Sequence, residues 1–248
     1  FNVNEVDRML RQLRRDGYKG IGILHFMIAA YIRGLTRLPG LNRFVVGRRI
    51  YARDNIEVVM TVKRALSIDA TETTIKVVFE PTDTILDVYR KMNEKIDEIK
   101  SSDENNDTED FADAVARLPR FLLRFAISIL RMMDYFGWLP MSLLNISPFH
   151  GSMIITDLGS LRIGPIYHHI YNFGTLPAFI AFGAKHHVYE LNRRGEVEDN
   201  KYIDCKYVLD EGIVDGHYWA QFLLAYRYMF AHPEMLLSPP TKVLEDVV

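Results

Sequence analysis

The sequence predicts an α/β or α+β domain, and three observations predict it. Apolar segments of helical period alternate with short segments of period two along the chain. Helices lie between and after the strand-like segments, so neither a bundle nor a sandwich fits. The chain has 248 residues, 48% of them hydrophobic, which is enough for one large core in a single domain spanning residues 1–248.

Val3 to Arg15 places Val3, Val6, Met9, Leu10 and Leu13 at helical spacing, with Arg11, Arg14 and Arg15 opposite, and Asp16-Gly17 ends it. Ile21 to Leu35 is more apolar and reads as a buried helix, broken by Leu38-Pro39-Gly40. Phe44 to Val46, Arg49 to Tyr51, Ile56 to Lys63 and Thr74 to Glu80 read as strands. Thr84 to Lys100 is an amphipathic helix, with Thr82 or Thr84 as its cap and Ile85, Val88, Met92 and Ile96 inward. Residues 97–113 are rich in Asp and Glu and read as an acidic surface loop. An apolar helical insertion over about residues 114–147 follows, with a helix from Phe121 to Phe136 ending at Gly137. Its aromatic and aliphatic side chains are expected first of all to pack on the sheet; a subunit interface, an acyl pocket and a membrane-touching face are the alternatives. Ser152 to Thr156, Pro177 to Phe182 and His187 to Leu191 are strands, Asn192 to Asp199 a hairpin loop, and Lys201 to Leu209 the returning strand. Gly216 to Phe230 is the last helix.

The composition excludes several classes. A net charge of −2 gives no global attraction to nucleic acid or to an anionic membrane. The single cysteine, Cys205, rules out an internal disulfide framework or a cysteine-rich zinc site, and suits a cytoplasmic location. No signal peptide is visible, and no run reaches the roughly 18 apolar residues of a transmembrane helix. Phe121 to Trp138 comes nearest and is interrupted by Arg124, Arg131 and Asp134. No metal site is expected: the acidic tract lacks calcium-loop spacing, and the adjacent pairs His168-His169 and His186-His187 point to opposite sides on a strand. His25, on an apolar helix, reads as a satisfied core residue.

Several motifs, taken in order, carry a resemblance. Leu38-Pro39-Gly40-Leu41-Asn42-Arg43, the stretch Gly151-Ser152-Met153-Ile154-Ile155-Thr156-Asp157-Leu158-Gly159, and Asp215-Gly216 before the closing helix together resemble the catalytic domain of 2-oxoacid dehydrogenase (dihydrolipoyl) acyltransferases. These belong to the chloramphenicol acetyltransferase-like superfamily. The resemblance implies a two-layer α+β sandwich with a mixed sheet flanked by helices. It implies coenzyme A or acyl-coenzyme A as cofactor, and a homotrimer or larger assembly of trimers with the site at the subunit boundary. A lipoyl domain or a dehydrogenase complex would be the partner; no covalently bound lipoyl group is expected in this chain.

The same resemblance assigns roles. Thr156 stands where a hydroxyl stabilises the oxyanion, and Asp215 where a structural carboxylate pairs with a basic residue and holds the loop before the closing helix. Asp157 and Gly159 fall in the cofactor-binding stretch, and His150, just before that strand, is expected to line the channel. Four residues before Asp215, where the family keeps its catalytic histidine, stands Glu211. A solvated Glu is about two pKa units less basic than His, which weakens proton removal by roughly 2.7 kcal/mol, or about a hundredfold. Two functions therefore stay open: an acyltransferase working with Glu211 or a recruited histidine together with Thr156, or an inactive scaffold that keeps the fold and binds acyl-coenzyme A.

Overall fold

The structure is a computed structural model that describes residues 1–63, 72–101 and 119–246. A five-stranded mixed sheet forms its centre. In chain order its strands follow a separate hairpin of β1 (Arg43–Val46) and β2 (Arg49–Ala52). The sheet holds β3 (Ile56–Lys63), β4 (Glu72–Phe79), β5 (Met153–Asp157), β6 (Ala178–Leu191) and β7 (Val197–Leu209), in the spatial order β4-β3-β5-β6-β7. β3–β4 and β6–β7 are antiparallel, while β5 runs parallel to both β3 and β6.

Four helices cover the sheet: α1 (Asn4–Arg15), α2 (Ile23–Leu35), α3 (Ile85–Ser101) and α6 (Gly216–Ala231). One core cluster runs through all four and all five sheet strands, from Leu10, Phe26 and Val88 through Val58, Ile75, Ile155, Ile180 and Ile203 to Phe222. α2 is the central element because its sequence is apolar on every side, and Phe26 through Leu35 are all buried. A Cβ at Gly34 would lie 2.2 Å from the Phe222 ring, so the absence of a side chain there lets α6 cross α2 closely. Thr84 and Asp87 cap α3 reciprocally: the Thr84 amide donates to Asp87 Oδ2 at 3.0 Å, and the Asp87 amide donates to Thr84 Oγ1 at 3.3 Å.

The strands expected at Phe44 to Val46 and Arg49 to Tyr51 are present and pair as a hairpin of their own. The structure changes three expectations. The two strands expected after Pro177 are one, β6, carried past a register shift between Phe182 and Lys185. β7 begins at Val197, so the loop is confined to Asn192–Glu196, where the Asn192 side chain accepts from the Arg194 and Glu196 amides. Residues 97–101 of the acidic tract are the last turn of α3; its continuation through 113 lies outside the described residues, as does 114–118 of the apolar insertion.

The insertion departs furthest from expectation. Its helices α4 (Arg120–Phe136) and α5 (Met141–Ile146) contain no buried residue. Core packing is therefore not what the apolar side chains of α4 do. The core closes without them, and α4 meets the domain chiefly at β1.

Candidate active site

Two of the places with groups able to move a proton, His150 and the turn of Glu211, border β1. Side chains alternate across a strand, so Phe44 and Val46 face one side and Val45 the other. Phe44 and Val46 wall a cavity of about 440 Å³ that also takes in Arg53, Glu57, Asp134 and His150. On the other side, Val45 lies 3.5 Å from where a Cβ on Gly212 would stand. The 211–214 turn is thus outside the cavity.

His150 is 3% exposed, yet both ring nitrogens are bonded. Nε2 lies 2.9 Å from Asp134 Oδ1, and Nδ1 lies 2.7 Å from Ser147 Oγ. An ionised carboxylate only accepts, so Nε2 carries the hydrogen, and in the neutral ring Nδ1 accepts from the serine hydroxyl. Asp134 is itself held: its Oδ2 accepts from the Gly174 amide at 2.9 Å. Burial works to raise the Asp134 carboxyl, but the bonds from His150 and Gly174 outweigh it and hold the group below the ordinary carboxylate range. The result is a serine–histidine–aspartate chain in which a buried imidazole is oriented by a fixed carboxylate.

The backbone explains why these residues meet. Gly174 has φ of 88°, in the left-handed region, and a Cβ there would fall 2.1 Å from the Phe149 carbonyl. The Thr175 amide donates to that same carbonyl at 2.9 Å, which ties the 174–175 segment to the His150 loop. α4 brings Asp134 from its last turn, and α5 ends at Ser147. Lys76 on β4 anchors α5 by donating to the Leu144 carbonyl at 2.6 Å, and pairs with Glu57 at 3.4 Å. The Arg53 guanidinium stands 4.5 Å over the Phe44 ring and donates to the Thr175 carbonyl and hydroxyl. Its Nε is buried with no hydrogen-bond partner among the described residues.

The residues singled out in the sequence do not converge. His150 is just before the entry of β5, while Asp157 is its last residue and Gly159 lies beyond it; the five-residue strand separates them by on the order of 15 Å. Asp157 binds its own turn: Oδ1 accepts from the Ser160 amide at 3.1 Å, and burial raises its carboxyl. A Cβ at Gly159 would lie 2.9 Å from the Gly183 carbonyl, so this glycine serves close packing of β5's exit against β6. Thr156 is half-buried on β5, in register with Ala181. Asp215 caps α6, its Oδ1 accepting from the Tyr218 amide at 2.8 Å. No basic side chain pairs with it among the described residues. Glu211 is exposed, with no hydrogen bond or ion pair among the described residues. His186 and His187 are exposed and lie near Asp204 and Asp199; no group of three metal-ligating side chains occurs among the described residues.

Sequence reasoning placed His150 beside a channel but missed Asp134, Ser147 and Gly174. Asp134 was read only as an interruption of an apolar run. A lone acid in such a run is itself a signal, because a carboxylate there needs a partner. A larger depression, about 650 Å³, lies at Phe1, Asn200 and Arg227 and has no histidine in its lining.

No protein-family model matches the sequence, and no curated protein matches it either. Solved structures do. The probable dihydrolipoamide acetyltransferase of Listeria monocytogenes superposes with a TM-score of 0.60 at 14% identity, over 93% of this chain and 81% of that one. The truncated catalytic core of the 2-oxoacid dehydrogenase multienzyme complex from Thermoplasma acidophilum gives 0.55 at 12% identity, over 94% and 84%. A chloramphenicol acetyltransferase gives 0.50 at 13%, over 89% and 82%. The fold is therefore the chloramphenicol acetyltransferase-like α+β fold, shared with dihydrolipoamide acyltransferase cores.

Proposed function

We propose that this chain is an acyltransferase domain that takes its acyl group from a coenzyme A thioester, with His150, oriented by Asp134, as its base. The observation that carries this reading is the doubly bonded His150 at a cavity of about 440 Å³, in a fold shared with acyltransferases. The Nδ1 lone pair takes up a proton from an acceptor thiol that displaces the Ser147 hydroxyl, and Asp134 stabilises the imidazolium that forms. The freed thiolate attacks the thioester carbonyl, and the same imidazolium returns the proton to the departing coenzyme A thiol. Arg53 supplies positive charge at the cavity wall for developing or resident negative charge. The proposal extends to a homotrimer or an assembly of trimers, and to a lipoyl-type thiol as acceptor.

A second reading places the base at Glu211, with Thr156 as the oxyanion donor. It is favoured by the exposed, unpartnered Glu211 side chain on the turn before α6. An inactive acyl-coenzyme A-binding scaffold is the remaining case.

Thiol release from a panel of acyl-coenzyme A donors, with a dithiol acceptor, separates the three. The expected result is turnover by the wild type, a loss of about a hundredfold or more in His150→Gln, and little change in Glu211→Gln. Loss in Glu211→Gln with His150→Gln active would move the base to the exposed turn. Coenzyme A binding by calorimetry with no turnover in any protein would leave the scaffold.

A further inference from the structure

We propose that α4 and the segment after it dock on an anionic lipid surface. A helix turns about 100° per residue, so Arg120, Arg124 and Arg131 fall within roughly 40° of one another. An adjoining arc carries Phe121, Phe125, Ile129 and Phe136; Phe136 borders the His150 cavity, while Phe121, 70% exposed, and Phe125, 65%, are open to solvent. This is a basic amphipathic helix turned outward, with its apolar face uncovered. Past Gly137 the aromatic surface continues in Trp138, stacked on Phe136 at a centroid distance of 4.8 Å and 63% exposed.

Charge selects the occupant. The one acid of α4, Asp134, is committed to His150 and Gly174. Its three arginines have no ion-pair partner among the described residues, so among these residues the helix offers positive charge beside an aromatic face. Anionic headgroups match the arginines, and the aromatics fit the headgroup boundary. A second copy of the chain would bring the same arginines. Among the described residues no helix is long and apolar enough to cross a membrane, so α4 would lie on the surface. The acidic tract at 97–113 precedes α4 in sequence and brings the chain's net charge to −2, so the attraction is local and should be salt-sensitive.

Co-sedimentation with vesicles tests this. The full chain is mixed with vesicles of phosphatidylcholine alone, or of phosphatidylcholine with one-third phosphatidylglycerol, while sedimentation velocity follows its oligomeric state. The expected result is at least tenfold more bound protein on the anionic vesicles, falling as salt rises. Phe121→Asp with Phe125→Asp should abolish binding, and the triple change of Arg120, Arg124 and Arg131 to Gln should remove the preference for anionic lipid. All five positions are exposed, so the melting temperature is the control for folding. Failure of the wild type to bind, or equal binding to both vesicles, would overturn the proposal. So would dissociation of an oligomer by the Phe121/Phe125 double change without vesicle binding by the wild type, which would make the face a subunit contact.

Discussion

The turn at residues 210–215 and the cavity at His150 both border β1 and hold their charges in opposite ways. Glu211 is exposed and unpartnered among the described residues. His150 is buried, with a hydroxyl on one nitrogen and a carboxylate on the other, and that carboxylate is gripped by a backbone amide. The difference teaches that a motif marks a place in a fold, whereas burial and hydrogen bonds decide which group is poised for chemistry. A base fixed by neighbours needs no reorganisation before proton transfer; an exposed one must be ordered by something else.

The largest expected effect comes from breaking the grip on Asp134. Gly174→Val puts a branched side chain at φ of 88° and its Cβ 2.1 Å from the Phe149 carbonyl. The segment must move, which releases Asp134. We expect a loss of about 3 kcal/mol or more in urea unfolding, together with the loss of acyl transfer. A protein that keeps full activity would show that Asp134 does not orient the base. Asp134→Asn is the milder version. An amide cannot stabilise an imidazolium, so kcat should fall about a hundredfold with KM little changed. Equal effects on kcat and on folding stability alone, rescued by no acceptor, would make the contact purely structural.

His25 sharpens the comparison as a histidine without a carboxylate. Its Nδ1 accepts from the Gly22 amide at 3.1 Å, and burial pushes its pKa down to about 4. The unfolded chain binds the proton near 6.5, so the unfolded state gains protons first as pH falls. Stability is fully present above about pH 6.5 and is lost progressively toward pH 4. Because the ring is partly exposed, the contribution is on the order of 2 kcal/mol. His25→Phe should flatten that acid slope in urea midpoints measured between pH 7 and pH 4.

Much of the fold was legible because periodicity reports which residues face a core. The spans of α1, α2, α3 and α6 follow directly from their apolar spacing, as do β3 and β4. Periodicity does not report whether a second surface exists to receive an apolar face. Phe121, Phe125 and Phe136 look alike in sequence whether they meet a sheet or solvent, so the outward placement of α4 was not readable. The strands of β1 and β2 were legible, but not their separation from the large sheet, because short strands carry no mark of the sheet they join. At the site, His150 was visible from its place before a recognisable strand. Its partners were not, because Asp134 and Gly174 lie 16 and 24 residues away on either side, and only the folded chain brings them together.

The smallest effects belong to the exposed turn, and they test the comparison from its other side. Asp215→Ala removes the side-chain acceptor for the Tyr218 amide and should cost about 1 kcal/mol, the ordinary worth of a helix N-cap. Glu211→Gln removes a charge that meets no partner among the described residues, so stability should change by less than about 0.5 kcal/mol. A clear gain in stability would mean that the carboxylate is held under strain there, as functional groups often are, and would return attention to Glu211 as the reacting group. No change, with turnover intact, would leave that position as a solvated side chain on a capped turn and the chemistry at the His150 cavity.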